Sequence, residues 1–202
     1  TRASVAKERG LEPLADTILL QMTKEPIETL AARYISEEKG VANVKAVIDG
    51  AKDILAERIS EVAKYRAYIR NVTKEEGFVV SEAKDEKTES VYEMYYQYEE
   101  PVKKCAGHRV LALNRGEKEK VLTVKAEAPE ENILRYLEKK VIVNENPYTT
   151  EVLKETVNAG EYGNVEYTVS TVENIANPDA SVAPSQTPAT SVAPSQTPAA
   201  SV

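Results

Sequence analysis

Through residues 1–75 apolar side chains recur every three or four positions, the spacing that lines one face of an α-helix. A short helix is expected from about Ala3 to Arg9. It should stop at Gly10, the residue type that most readily takes the left-handed turn closing a helix. Pro13 suits the first turn of the next helix, where a missing N–H costs nothing. That helix is expected to carry Leu14, Ile18 and Leu19 inward. Pro26 opens a third, with Ile27, Leu30, Ala31, Tyr34 and Ile35 on one stripe and Gly40 at its end. A longer run places Val44, Val47, Ile48, Ala51, Ile54, Leu55 and Ile59 on one face, behind Asn43 as N-cap. Ser60 is a candidate cap for a continuation through Val62, Tyr65, Tyr68, Ile69 and Val72 that ends before Gly77. These stripes read as packing faces rather than ligand boxes.

The period changes at GFVVSEAK (77–84), which reads as a strand, and VLTVKAEA (121–128) alternates as its antiparallel partner would. Between them lie two helical candidates, Val91–Tyr98 and Gly107–Lys120. Pro129 begins a helix through Ile133, Leu134, Leu137 and Val141. Glu130 and Glu131 fall at its electropositive end, Lys139 and Lys140 at the other. A last short helix is expected over Thr150–Val157. The expected fold is mainly α: a multi-helix region over residues 1–157 with a small two-stranded β element.

Composition shifts near residue 158. The chain has 202 residues with 26 Lys+Arg against 33 Asp+Glu, and every basic residue precedes position 158. Beyond it the only charges are Glu161, Glu166, Glu173 and Asp179. EYGNVEYTVSTVENI alternates at Val165, Tyr167, Val169 and Val172, a possible single strand within 158–177 that lacks a partner. The unit SVAPSQTPA then occurs at 181–189 and again at 191–199. Pro, Ser, Thr, Ala and Gln bury too little apolar surface to offset ordering, so 178–202 is expected to be a disordered, extended tail. A Pro-rich ligand for another domain is the alternative. The first residue is Thr1 and no basic-then-apolar leader follows, so the chain reads as a piece of something longer.

The same composition narrows the chemistry. No run approaches 18 apolar residues, so no membrane-spanning helix is expected. One cysteine excludes an internal disulfide framework and multi-cysteine zinc cages, and one histidine, His108, excludes sites needing two. No cofactor or metal is expected. Gly160 and Gly163 are the only close glycine pair, so there is no phosphate-cradling loop, and no serine elbow is present. Acids are too plentiful for any one pair to stand out as a hydrolase site around His108. Cys105 lies near Lys103, Lys104 and His108, neighbours that would lower a thiol pKa. Catalytic residues are not assigned.

Net charge is −7, so nucleic-acid binding would have to come from a local basic face. Lys103, Lys104, His108, Arg109, Arg115, Lys118 and Lys120 are the candidate phosphate contacts, each able to release a counterion from a backbone. Glu99, Glu100, Glu117 and Glu119 interleave with them, and a solvated helix face with spaced ion pairs fits equally. Tyr95, Tyr96 and Tyr98, with Tyr92, crowd before Pro101. They read either as platforms on which bases stack or as core rings with hydroxyls reaching partners.

Four blocks carry a family likeness: TRASVAKERGLEPLA (1–15), GAKDILAERISE (50–61), YEMYYQYEEPVKK (92–104) and GHRVLALNRGEKEKVL (107–122). In order and spacing they resemble the Tex family of bacterial transcription accessory proteins, over roughly residues 1–157. His108, Arg109, Leu113, Arg115, Gly116, Glu117, Lys118 and Glu119 form the most family-specific stretch. Cys105-Ala106 departs from the family, which usually has an apolar residue and proline there. The resemblance implies a transcription accessory role, associated with RNA or single strands and performing no chemistry; the lack of an export signal and the one unpaired thiol place the body in the cytoplasm. The resemblance places this chain in the N-terminal helical region, ahead of the RNase-H-like, helix-hairpin-helix and S1-type barrel modules. A helical scaffold with weak RNA affinity is expected. The alternative is a protein-interaction module docking on other Tex domains or on the transcription machinery.

Overall fold

The computed structural model describes residues 1–160, and the expected strand at Val165–Val172 and the repeats of 178–202 lie outside them. The described residues form eight α-helices, three strands and two short 3-10 turns. Helices α1 (Arg2–Glu8), α2 (Glu12–Leu20) and α3 (Ile27–Ala32) pack against the long α4 (Val44–Glu61). Asn43 caps α4 as expected, its Oδ1 accepting from the Ala46 N–H at 2.9 Å. The face bearing Val47, Ala51, Ile54, Leu55 and Ile59 is buried, each large aliphatic contributing about 2 kcal/mol through lost contact with water. Gly10 takes the positive φ of 79° that the end of α1 requires.

Three helical expectations differ from the structure. α3 stops at Ala32, well before Gly40, because the chain folds back on itself there. Ser36 and Val41 form an antiparallel bridge, and Gly40 at φ 69° makes its turn. Ile35 is left exposed as a result. Leu19 is 37% exposed, since the inward stripe of α2 is centred on Leu14, Ala15 and Ile18. Ser60 caps nothing: its hydroxyl donates back to the Glu57 carbonyl at 2.7 Å. The helix instead breaks at Val62, whose extended backbone separates α4 from α5 (Ala63–Glu76).

The sheet has three strands rather than two, in the order β2-β1-β3 and wholly antiparallel. β1 (Phe78–Ala83) is central and pairs with β3 (Leu122–Glu127), as the alternation predicted. Its other neighbour is β2 (Gln97–Pro101), from the segment expected to be helical. Only a 3-10 turn at Glu93–Tyr95 is helical there. Pairing with β1 overrides the helical spacing of the tyrosines, and Pro101 sits at the end of an edge strand, where a missing N–H is tolerated. A second 3-10 turn, Val102–Lys104, packs against α5 and leads into α6 (Gly107–Lys118). Then follow β3, α7 (Glu130–Val141) and α8 (Thr150–Ala159). One core joins α1–α5, α7 and α8, and a second joins the sheet to α6.

Gln21, at the left-handed end of α2 (φ 54°), is buried and ties the two halves of the helical layer together. Its Nε2 donates to the Val141 carbonyl at 2.8 Å. Its Oε1 accepts from the N–H groups of Val143 and Asn144 at 3.1 and 3.2 Å. Asn144 and Asn146 donate back to its carbonyl. Gln21→Leu would leave the buried Val141 carbonyl and the part-buried N–H groups of Val143 and Asn144 without their partner, a loss of about 2 kcal/mol. Urea denaturation measures it, and a change below about 1 kcal/mol, ordinary for a surface substitution, would contradict this role.

Candidate nucleic-acid interface

α6 divides its residues cleanly. Val110, Leu113 and Gly116 face the sheet and are buried. The absence of a side chain at Gly116 sets how closely the helix lies. A Cβ there would meet the Leu122 Cδ1 at 2.5 Å and the Tyr92 ring at 3.3 Å. His108, Leu111, Arg115 and Lys118 consequently share the outer stripe, with Leu111 59% exposed among the cations. Lys103 and Lys104 are exposed on the preceding 3-10 turn. Lys120 follows the helix in a left-handed conformation (φ 61°). Among the described residues none of these six side chains is in an ion pair.

Arg109 is placed differently from the rest. It lies between α6 and the sheet, and its Nη2 donates to the Glu100 Oε1 at 2.6 Å and to the Lys104 carbonyl at 3.2 Å. Tyr98 donates its hydroxyl to the other oxygen of the same carboxylate. Burial pushes the Glu100 pKa up, but Tyr98 and Arg109 outweigh it and leave the carboxyl below its ordinary value. Arg109 is therefore engaged in holding α6 to β2, which corrects its expected role as a free phosphate contact.

The tyrosines do not form a stacking platform. Tyr95 is 6% exposed and meets Tyr98 edge-on, ring centroids 5.1 Å apart. Burial, followed by the neighbouring Glu100, holds the Tyr98 phenol well above its ordinary pKa. Tyr96 is half-buried, its hydroxyl engaged with the Thr88 carbonyl and the Ser90 hydroxyl. The rings anticipated as base platforms are thus committed to the second core and its rim. Tyr92 is buried beside Glu119, and burial and that carboxylate together raise its pKa. The interleaving acids are partly withdrawn in the same way: Glu100 to Arg109, and Glu119 toward Tyr92.

The thiol expectation is also reversed. Cys105 is half-buried, and burial, then the nearby Glu100 carboxylate, push its pKa up to about 11 rather than down. The lysines adjacent in sequence point to solvent and do not counter this. Among the described residues no group of three His, Cys, Asp or Glu side chains converges as a metal site. Among the same residues no helix is long and apolar enough to cross a membrane.

Sequence reasoning missed an aromatic junction elsewhere. Tyr68 of α5 stacks on Tyr136 of α7, centroids 3.6 Å apart and planes 9° from parallel, and Tyr65 meets Tyr136 edge-on at 6.1 Å. Lys140 Nζ lies 5.7 Å from the Tyr136 centroid. Tyr65 and Tyr68 were legible as a packing stripe. Their partner was not, because pairing across 68 residues leaves no local pattern.

A helical layer joined to a small antiparallel sheet, with a cation-lined helix on the outside, defines a mainly α module of the kind that presents a charged surface rather than a cavity. The chain belongs to the Tex family: residues 21–161 match the family model described as Tex central region-like. It is 48% identical over 160 residues to "Uncharacterized protein YdcI" of Bacillus subtilis, covering 78% of this chain and 22% of that protein. It is 40% identical over 127 residues to "Protein tex" of Bordetella pertussis, covering 62% and 16% respectively. Similarity extends to "S1 RNA-binding domain-containing protein 1" of Pongo abelii, 30% over 134 residues, covering 62% and 13%. The chain thus spans about a fifth or less of the length of these relatives.

A thiol with a raised pKa holds little thiolate at neutral pH and reacts slowly. Alkylation of Cys105 by iodoacetamide at about pH 8 is expected to run at least tenfold slower than that of a free thiol, whose pKa is about 8.5. Glu100→Gln should speed it by removing the neighbouring negative charge. In folding, the native state keeps a proton that the unfolded chain releases between the ordinary thiol pKa and about 11, so this contribution to stability falls as pH rises through that window. Fast alkylation of the native protein at pH 8, equal to that of the urea-unfolded chain, would contradict the environment described.

Proposed function

We propose that this chain is a nucleic-acid-associated, non-catalytic helical scaffold of a cytoplasmic Tex-type transcription accessory protein, contacting RNA or single strands through exposed cations. The observation that carries this reading is the outer face of α6 with the turn before it. Lys103, Lys104, His108, Arg115, Lys118 and Lys120 are exposed there. One acid in the neighbourhood, Glu100, is occupied by Arg109. Backbone contacts of this kind are sequence-independent and individually weak, and they carry no base readout. The burial of the tyrosines fits that absence of readout. One relative is named for transcription, "Transcriptional accessory protein Tex" of Neisseria gonorrhoeae, and another for RNA binding, "S1 RNA-binding domain-containing protein 1" of Pongo abelii.

A second reading, docking on other Tex domains or on the transcription machinery, is favoured by a separate feature. Leu20, Met22 and Val143 are 69%, 75% and 77% exposed around the Gln21 clasp. Large apolar side chains gathered on a surface mark contact sites. Pulled-down partners that survive nuclease treatment would favour docking, and nuclease-sensitive ones the nucleic-acid reading.

Fluorescence anisotropy with a labelled single-stranded oligonucleotide tests the proposal directly. Binding should appear at about 50 mM salt and weaken at least tenfold by about 200 mM. Arg115→Gln with Lys118→Gln should weaken it several-fold, whereas Arg109→Gln should lower thermal stability with little effect on affinity. No binding at low salt by the intact chain would overturn the reading.

A further inference from the structure

The cations of this acidic protein are not evenly neutralised. On the side formed by α1, α2, α4 and α8, basic groups meet acids. Arg2 pairs with Asp53, Lys7 with Glu57, Lys45 with Asp49 and Lys52 with Glu155. Arg58 bridges Glu12 and Asp16 at 2.9 and 2.6 Å. α5 is different. Lys64, Arg66, Arg70 and Lys74 lie in a stretch with no acid from 63 to 74, and none of the four is in an ion pair among the described residues. Among the described residues their one side-chain hydrogen bond runs from Arg66 Nη2 to the Glu61 carbonyl at 3.3 Å.

Geometry makes Arg66, Arg70 and Lys74 a row and sets Lys64, two residues before Arg66, on a different side of the helix. Val72 and Thr73 are buried, and Tyr65, Tyr68 and Ile69 pack on the helical core. Arg66, Arg70 and Lys74 recur at four-residue intervals on the outer side, about 6 Å apart along the axis. Lys64 stands one turn before Tyr68, beside the Tyr68–Tyr136 stack that fastens α5 to α7. Lys139 and Lys140 close the end of α7, with Lys140 over the Tyr136 ring. The 3-10 turn carrying Lys103 and Lys104 packs against α5, so these cations adjoin the same helix.

We propose that the outer face of α5 is a track for the sugar–phosphate backbone of a single-stranded nucleic acid, continuing at the turn of Lys103 and Lys104. This inference rests on the reading of the preceding subsection and extends its contact from α6 to α5. A row of unpaired cations on a helix anchored by stacked rings needs no ordering before it meets a polyanion. With one face of Tyr68 covered by Tyr136, the track reads charge and not bases. An acidic protein segment is the competing occupant, and the test includes it.

The test uses the 202-residue chain and fluorescein-labelled twenty-nucleotide oligouridylate and oligothymidylate. The variant Lys64→Gln/Arg66→Gln/Arg70→Gln/Lys74→Gln removes four charges while keeping residues of good helix propensity. Its affinity for both probes is expected to fall at least tenfold. The slope of log K against log salt should flatten by about 2–3, given about 0.7 per single-strand contact. Photocrosslinking of bromouracil-substituted probe to the unaltered chain gives an answer even where the variant folds poorly, and label should appear in peptides from 64–74. Three results would overturn the inference. One is an unchanged slope with crosslinks confined to 107–118, which leaves the nucleic-acid reading standing. Another is displacement of the probe by polyglutamate at equal charge concentration, which assigns α5 to an acidic protein. The third, no probe binding by the unaltered chain, removes both readings.

Discussion

The close approach of α6 to the sheet is the constraint on which the site depends. It is possible because Gly116 offers no Cβ to the Leu122 side chain. Once the helix lies that near, its rotation is fixed by Leu113 entering the second core and by the burial of Val110 on the same face. Arg109 is then carried to the sheet side, where Glu100 and Tyr98 on the inner face of β2 receive it. His108, Arg115 and Lys118 are carried outward by the same rotation. One glycine contact therefore decides which cations are structural and which meet solvent.

What local pattern controls, the sequence made visible, and what distant pairing controls, it hid. Asn43 could be read as the cap of α4 because the cap is a contact across three residues, and the buried stripe of α4 follows from spacing alone. The pairing of β1 with β3 was legible through alternation at both ends. β2 was not, because the tyrosines preceding Pro101 have helical spacing, and their strand state exists only beside β1. Arg109 could not be told from its neighbours for a related reason. All seven candidates are cations in one stretch, and only the placement of Glu100 across the interface singles one out. Gln21 carried no signal at all: a glutamine is buried when it can bridge backbone groups more than a hundred residues away, as it does at Val141 and Asn144.

The cores assign different work to the two kinds of polar contact. In the helical layer, Gln21, Asn144 and Asn146 satisfy backbone groups where connecting segments meet, and these bonds are insensitive to salt because they involve no net charge. Around the layer, exposed ion pairs join α4 to α1, α2 and α8. Such pairs individually contribute about 0–1 kcal/mol. Their larger consequence is for the surface field: they neutralise cations of α1 and α4, whereas those of α5 are in no ion pair among the described residues.

That asymmetry explains how an acidic chain can present a polyanion surface. Repulsion from the net charge is largely screened beyond the Debye length, about 8 Å at physiological ionic strength. Within that distance, the local sign decides. On the proposed reading, a phosphate at α5 would meet Arg66, Arg70 and Lys74 outside any ion pair among the described residues, whereas Lys52 and Arg58 of α4 are already paired with acids. Because screening confines such attraction to short range, contacts of this kind would form only once a strand is already close.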